Sequence, residues 1–241
     1  MTTLLIDADI VAFKAAAASE NPVNWGEGLW TLHAFEDDVK RMIDADVSKL
    51  QEQSGCDEVI SCITGDKNFR KSVASYYKAN RKDTRKPLLL KFAKDYMFDT
   101  YNGMIEPALE ADDVLGILGS SNLAKYIIWS IDKDLMTIPA MHLIDGEIVE
   151  ISKEAADYAF YKQVLTGDST DNYKGCPSVG DKKADKVLEL GYFGDPWKAI
   201  VKEYKKQGLS EKVAIENARL ARILRHGEYN FETKTITLWK P

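Results

Sequence analysis

Thr3-Leu4-Leu5-Ile6-Asp7-Ala8-Asp9 decides how this chain folds. The apolar run is too short for a helix and stops at a carboxylate, which reads as a buried strand ended by Asp7. A charge directly behind buried apolar residues is costly unless it is paired or bound to something. The same pattern returns further along. Val59 to Thr64 reads as a second strand, closed by Gly65-Asp66, and Lys125 to Ile131 as a third, closed by Asp132. Helical stretches lie between them. Phe35, Val39, Met42, Ile43, Val47 and Leu50 recur at helical spacing, and Gly55 follows as a stop. Strands alternating with helices predict an α/β fold with a central, mainly parallel sheet flanked by helices. Ligands of such sheets gather beyond the carboxyl ends of the strands, where Asp7, Asp66 and Asp132 fall.

Further out, Met141 to Ile151 reads as a hairpin turning at Asp145-Gly146. The chain then changes character. Ser152 caps a helix reaching Leu165, and Gly167 to Gly180 is rich in glycine and serine, as a loop is. Asp181 to Leu190 reads as helix. Asp195-Pro196 is a cap followed by proline at the first helical position. Ser210 starts a helix that stops at Gly227, and Phe231 to Trp239 alternates like a strand. These signals predict a domain over residues 1–151 and a smaller helical module with a C-terminal tail over 152–241.

Composition bounds the setting. With 241 residues, 45% apolar and 29% charged, the chain falls in the soluble globular class. No apolar run reaches membrane length, and carboxylates interrupt the start before a signal-peptide core could form. Neither membrane association nor export is expected. Cys56, Cys62 and Cys176 are odd in number and lack metal-site spacing, which predicts a reduced, cytoplasmic setting. A monomer is expected.

Nine acidic residues carry the chemistry: Asp7; Asp66; Glu110 with Asp112 and Asp113; Asp132 with Asp134; and Asp168 with Asp171. Carboxylates gathered at one sheet edge repel one another unless cations sit between them. Oxygen-rich sites suit Mg²⁺ or Mn²⁺, and a pair of such ions can break phosphodiesters. Singly, most members have plainer accounts. Glu110 and Asp113 open an apolar helical run and favour its dipole. Asp168 and Asp171 can shape a turn, and Asp66 after glycine can end a strand. The set carries the reading, because each plain account would have to hold independently.

A second constellation is basic. Between Lys67 and Lys94 stand ten lysines and arginines against one acid, Asp83, in a chain whose net charge is −6. Tyr76 and Tyr77 lie inside it. Cations interleaved with aromatics suit a phosphate backbone with stacked bases, whereas a solvated helix face normally mixes signs. Lys212, Arg219, Arg222 and Arg225 form a second basic face on the helix from Ser210. The third constellation is Gly175-Cys176-Pro177-Ser178-Val179-Gly180, opening into Asp181-Lys182-Lys183-Ala184. Such a hairpin can present backbone N–H groups to a phosphate. It can also be an ordinary connection between helices.

In this order LIDAD, TGDKNFRK, YYKANRK, LEADDV, SIDKDL, TGDSTDN and GCPSVGDKKA resemble the flap endonuclease and 5′-3′ exonuclease family, in particular its compact bacteriophage members. The resemblance spans nearly the whole chain. It implies a PIN-like nuclease domain over 1–151, with 67–95 as a basic helical arch, and a helix–three-turn–helix DNA-binding module over 152–241. It implies that Asp7, Asp66, Glu110 and Asp112 hold one ion. Asp112, Asp132, Asp134 and Asp171 hold the other, and Asp113 and Asp168 support through water. Lys78 and Arg81 match phosphate-contacting cations and Tyr77 a base-stacking aromatic. Lys82, Arg85, Gly175, Ser178, Val179, Gly180, Lys182 and Lys183 match DNA contacts, and the hairpin a site whose carbonyls hold K⁺. Asp9 departs from the small polar residue usual at its position.

The implied reaction is two-metal hydrolysis at 5′ ends, flaps or single-strand/duplex junctions of DNA, with RNA–DNA primers as a further substrate. The host cytoplasm is the implied location for a phage-encoded member. Two rivals remain. A haloacid-dehalogenase-type phosphatase would use Asp7-Ala-Asp9 with Asp168 and Asp171, but leaves the basic segment, Glu110 to Asp113 and the glycine hairpin unexplained. A non-enzymatic, structure-specific DNA-binding protein on the same fold would lack some of the carboxylates found here.

Overall fold

The computed structural model describes residues 2–81, 84–192 and 195–241. Its first element, β1 (Thr3–Asp7), is buried at every position, and Leu4, Leu5 and Ile6 have no exposed surface. Burying each such side chain contributes about 1.5–3 kcal/mol, so this strand belongs at the centre of a sheet. There follow α1 (Ala8–Ala18), β2 (Asn21–Asn24), β3 (Trp30–His33), α2 (Glu36–Ser54), β4 (Glu58–Thr64), α3 (Arg70–Val73), α4 (Leu90–Thr100), β5 (Met104–Glu106), α5 (Ala111–Gly119), β6 (Tyr126–Trp129), β7 (Met141–Ile144) and β8 (Glu147–Glu150). The six-stranded sheet runs β5-β4-β1-β6-β7-β8. All its pairings are parallel except that of β8 with β7, whose hairpin turns at Asp145-Gly146 as expected. The chain passes from β1 to one side of the sheet and later to the other. β1 is therefore a switch point, and a crevice opens beyond its carboxyl end.

Among the described residues three cores form. α1, α2 and α4 cover one sheet face through Val11, Val39, Ile43 and Met97 against Leu4 and Ile6. α5 covers the other through Val114 and Leu115 against Leu5 and Ile128. The third core joins α6 (Lys153–Thr166), α7 (Asp181–Tyr192), α8 (Pro196–Lys206) and α9 (Glu211–Ala221) around Phe160 and Tyr204. Ser152 and Asp195 cap α6 and α8 as expected. The cores interlock across the division expected at residue 151. Ala74 and Tyr77 enter the third core, while Ile223, Leu224 and Tyr229 return to the α5 face.

Several elements differ from the sequence reading. Among the described residues of 67–95, helix is limited to the short α3, a 3₁₀ turn at Ala79–Arg81 and the start of α4. Lys78 adopts a positive φ of 53°, which ends any helix there, and its N–H donates to the Asp171 carbonyl. α9 ends at Ala221, not Gly227, because Arg222 leaves helical backbone. The tail is a tight hairpin of β9 (Tyr229–Asn230) and β10 (Thr235–Ile236), turning where Lys234 has φ 56°, rather than one strand. The β2–β3 hairpin gave no periodic signal, since Trp25, Leu29 and Trp30 are all about 60% exposed. Among the described residues, no helix is long and apolar enough to cross a membrane. The three cysteines are buried and unpaired.

Candidate metal centre

Acids from four chain segments line one cavity of about 400 Å³ at the carboxyl edge of the sheet. Asp7 comes from the end of β1, where its Oδ1 also accepts the Ile10 N–H at the start of α1. Its Oδ2 accepts from the Ser130 hydroxyl at 2.9 Å. The same hydroxyl accepts the Asp132 N–H, and Asp132 Oδ1 accepts the Asp134 N–H at 2.9 Å. Ser130 thus orders three acids from two strand ends. Thr64, the last residue of β4, accepts the Ala111 N–H and sets the first turn of α5, which carries Glu110 and Asp112. Asp168 and Asp171 come from the turn after α6. There Asp168 Oδ1 accepts the N–H of Thr170, so the turn-forming account of Asp168 holds alongside its place in the cavity wall.

Positive groups stand over these acids. Lys78 Nζ bonds Glu110 Oε1 and lies 3.5 Å from Asp171 Oδ2, while Arg81 Nη2 donates to Asp171 Oδ1 at 2.6 Å. Burial pushes Glu110 up, but Arg70 and Lys78 outweigh it and hold Glu110 at about 2. Three other acids, Asp7, Asp134 and Asp112, behave oppositely. Burial and the neighbouring Asp9 push Asp7 up to about 7. Burial and Asp132 push Asp134 up to about 6, against a hydrogen bond from Gln163. Asp112 is also pushed well up, by burial and then by Asp7 and Glu110. Repulsion of this kind, among oxygen donors alone, fits hard divalent cations. Among the described residues, no three such side chains yet close on a single ion position. Glu110 and Asp171 instead face Lys78, Arg81 and the Tyr77 hydroxyl.

Asp7, Glu110, Asp112, Asp132, Asp134, Asp168 and Asp171 are therefore brought together, with Lys78 and Arg81 above them. Of the other expected residues, Asp66, Asp113 and Tyr77 depart in the fold from their expected roles. Asp66 is exposed and is not part of the cavity wall. Asp113 has no exposed surface and faces Arg70. Tyr77 is 2% exposed; its ring packs in the third core, and its hydroxyl donates to Asp171 Oδ2 (2.6 Å) and lies 3.0 Å from Glu110 Oε2, so the ring is not available for base stacking. Arg85 pairs with Glu20 and Lys183 with Glu203. Gly175 and Val179 are buried, whereas Ser178, Gly180 and Lys182 are exposed. Lys82 lies outside the described residues. Asp9 lines the cavity with Lys94 at 2.7 Å. Sequence reasoning missed Ser130, Thr64 and Gln163. Ser130 had a signal, since it stands two residues before Asp132; Gln163 had none.

Comparison with known proteins bears on the family and the fold. Residues 2–164 match the profile of the family described as 5′-3′ exonuclease, N-terminal resolvase-like domain. The exodeoxyribonuclease of Enterobacteria phage T3 is 29% identical over 99% of this chain and 92% of its own length. The exonuclease of Escherichia phage T7 is 29% identical over 99% of this chain and 93% of its own. A crystal structure of a phage T5 protein with metal ions superposes with a TM-score of 0.67 at 15% identity, covering 92% of this chain and 89% of that one. A complex of the phage T5 flap endonuclease with DNA and metal ions gives 0.65 at 16% identity, with the same coverage.

Proposed function

The chain belongs to the 5′-3′ exonuclease family, and from that premise we propose that it is a divalent-metal-dependent 5′-nuclease, hydrolysing DNA phosphodiesters at 5′ ends, flaps or single-strand/duplex junctions. One observation carries the reading: acids from β1, α5, the end of β6 and the 168–171 turn line a single cavity beneath Lys78 and Arg81. The phage relatives and the DNA and metal ions in the T5 structures support it. Asp7, Glu110, Asp112, Asp132, Asp134 and Asp171 would hold the ions, as Mg²⁺ or Mn²⁺, with Asp168 shaping the turn that presents Asp171.

When bound, divalent ions would acidify a water and offset charge on the leaving 3′ oxygen. The chain's own residues do the rest. Ser130 and Thr64 fix the acids. Lys78 and Arg81, now resting on Glu110 and Asp171, are placed to meet the charge that grows on the non-bridging oxygens, an effect of about 3 kcal/mol per donor. A duplex nucleotide must unpair to reach acids recessed at a sheet edge, which costs a few kcal/mol. Ends and junctions open most readily, so they are the preferred substrates.

The exposed hairpin residues Ser178, Gly180 and Lys182 would contact duplex backbone, and hairpin carbonyls would hold K⁺; duplex binding compared in KCl and NaCl tests the latter. RNA–DNA hybrid as a second substrate, a monomeric state and action in the host cytoplasm belong to the same reading. The phosphatase alternative loses ground, since the family match covers the basic segment and the Glu110 cluster that it left unexplained. Cleavage of a 5′-flap DNA with Mg²⁺, and none with EDTA, is the expected result. Binding without cleavage under both conditions would instead favour a non-enzymatic DNA-binding protein.

A further inference from the structure

Arg70 differs from the other described cations of its segment. It is 2% exposed, and all its N–H groups have acceptors. Nε donates to the Leu220 carbonyl (3.0 Å), Nη1 to Asp113 Oδ2 (2.8 Å) and Glu110 Oε2 (3.2 Å), and Nη2 to Asp113 Oδ1 (2.7 Å) and the Arg222 carbonyl (2.5 Å). A guanidinium's planar fork fixes such a set in a way an ammonium cannot. Asp113 is equally committed. Beyond the fork, its Oδ2 accepts the Glu110 N–H and its Oδ1 the Leu224 N–H, both at 3.1 Å. Its oxygens face inward, onto the start of α3, the first turn of α5 and the stretch after α9.

We propose that Arg70 and Asp113 form one positioning unit that sets the orientation of Glu110, and that Asp113 acts through Arg70 rather than through water on an ion. The proposal rests on the nuclease reading above. Glu110 Oε2 accepts from Arg70, with the Tyr77 hydroxyl 3.0 Å away, which leaves Oε1 toward Lys78. Asp113 in turn fixes both Arg70 and the Glu110 backbone. Without the fork, the Glu110 carboxylate can rotate, and the ion that it helps to hold binds less tightly. The clamp on Leu220, Arg222 and Leu224 also ties the helical module to this carboxylate.

The test uses the full chain as wild type, Arg70→Lys, Asp113→Asn and the double variant. Mn²⁺ binding without DNA is counted by electron paramagnetic resonance, flap cleavage is followed against Mn²⁺ concentration, and melting is followed by circular dichroism. Each single variant is expected to bind as many ions as wild type, about tenfold more weakly. Cleavage should recover toward the wild-type rate at saturating Mn²⁺, which a purely structural role would not produce. The double variant should bind about as weakly as either single one, because the residues act together. The proposal is overturned if Asp113→Asn loses an ion, if Arg70→Lys binds Mn²⁺ as wild type does, or if the two losses multiply. Should Arg70→Lys fail to melt cooperatively, the near-isosteric Asp113→Asn decides: an unchanged ion count with weaker binding supports the proposal, and a lost ion or unchanged affinity overturns it. A wild-type chain that binds no Mn²⁺ sinks the nuclease reading and this proposal together. One that binds and cleaves while both variants match it sinks only the proposal.

Discussion

Asp112 stands at the second position of α5, facing Asp7, Glu110 and Asp132, and burial and repulsion together push its carboxyl far up. A residue held against its own charge in this way is a functional strain rather than a stabilising contact. Asp112→Asn should therefore raise the melting temperature of the metal-free protein while lowering Mg²⁺-dependent cleavage roughly 100-fold or more. Calorimetry in EDTA and a flap assay measure the two; a lower melting temperature would mean that Asp112 is paired after all. Lys78 is the converse case, a cation already resting on Glu110 and Asp171. Lys78→Ala should cut the single-turnover rate by roughly 100-fold, far more than it raises the DNA dissociation constant. Equal changes in both would reduce Lys78 to general surface charge. At this scale Asp7 and Asp132 were legible from their positions behind strands, whereas Asp66, read in the same way, lies outside the cavity. Tyr77 was not: its hydroxyl partner Asp171 lies 94 residues further along, and nothing local marks the ring as buried.

Among the elements, the basic segment departs most from its sequence reading. Ten cations against one acid suggested an open, one-signed surface. In the fold Arg70, Lys78, Arg81, Arg85, Lys91 and Lys94 each meet a carboxylate, and all but Lys91 draw theirs from another part of the chain. Counting charge along a sequence cannot see such partners. The glycine hairpin divides similarly. A Cβ on Gly175, whose φ is 63°, would lie 2.3 Å from the Gly167 nitrogen, whereas one on Gly180 meets nothing within 4 Å. Gly175 thus serves close packing of two backbones, and the proposed phosphate contact falls to Gly180, where the space is open. Gly175→Ala should destabilise the protein by about 2 kcal/mol or more in urea unfolding. Gly180→Ala should leave stability within about 0.5 kcal/mol and weaken duplex binding. Unchanged duplex affinity in the second variant would take the hairpin away from the DNA.

For the molecule as a whole, the acids of the centre make folding depend on pH and metal together. Asp7 rises from an ordinary 3.8 to about 7, and Asp134 to about 6, so the folded state holds protons that the unfolded state releases. Their contribution to stability is complete below pH about 4 and is lost as pH rises through about 7. Glu110, held at about 2, works in the other direction and only under more acidic conditions. The melting temperature in EDTA should fall between pH 5 and pH 7.5, and Mn²⁺ should restore it most strongly at the upper end, since ions compete with protons for these oxygens. A melting temperature that rises across that range without metal would contradict the shifts. The sequence by itself determined the parallel sheet, with β1 as a fully buried strand, and most of the acids at its edge. Apolar periodicity and a carboxylate that ends a strand are local signals, readable without neighbours. Only the tertiary structure decided which acids face the cavity and which face Arg70. It alone seated Tyr77 inside the helical module and bound the basic segment to distant carboxylates. Those outcomes depend on contacts between residues far apart in the chain, and local pattern carries no record of them.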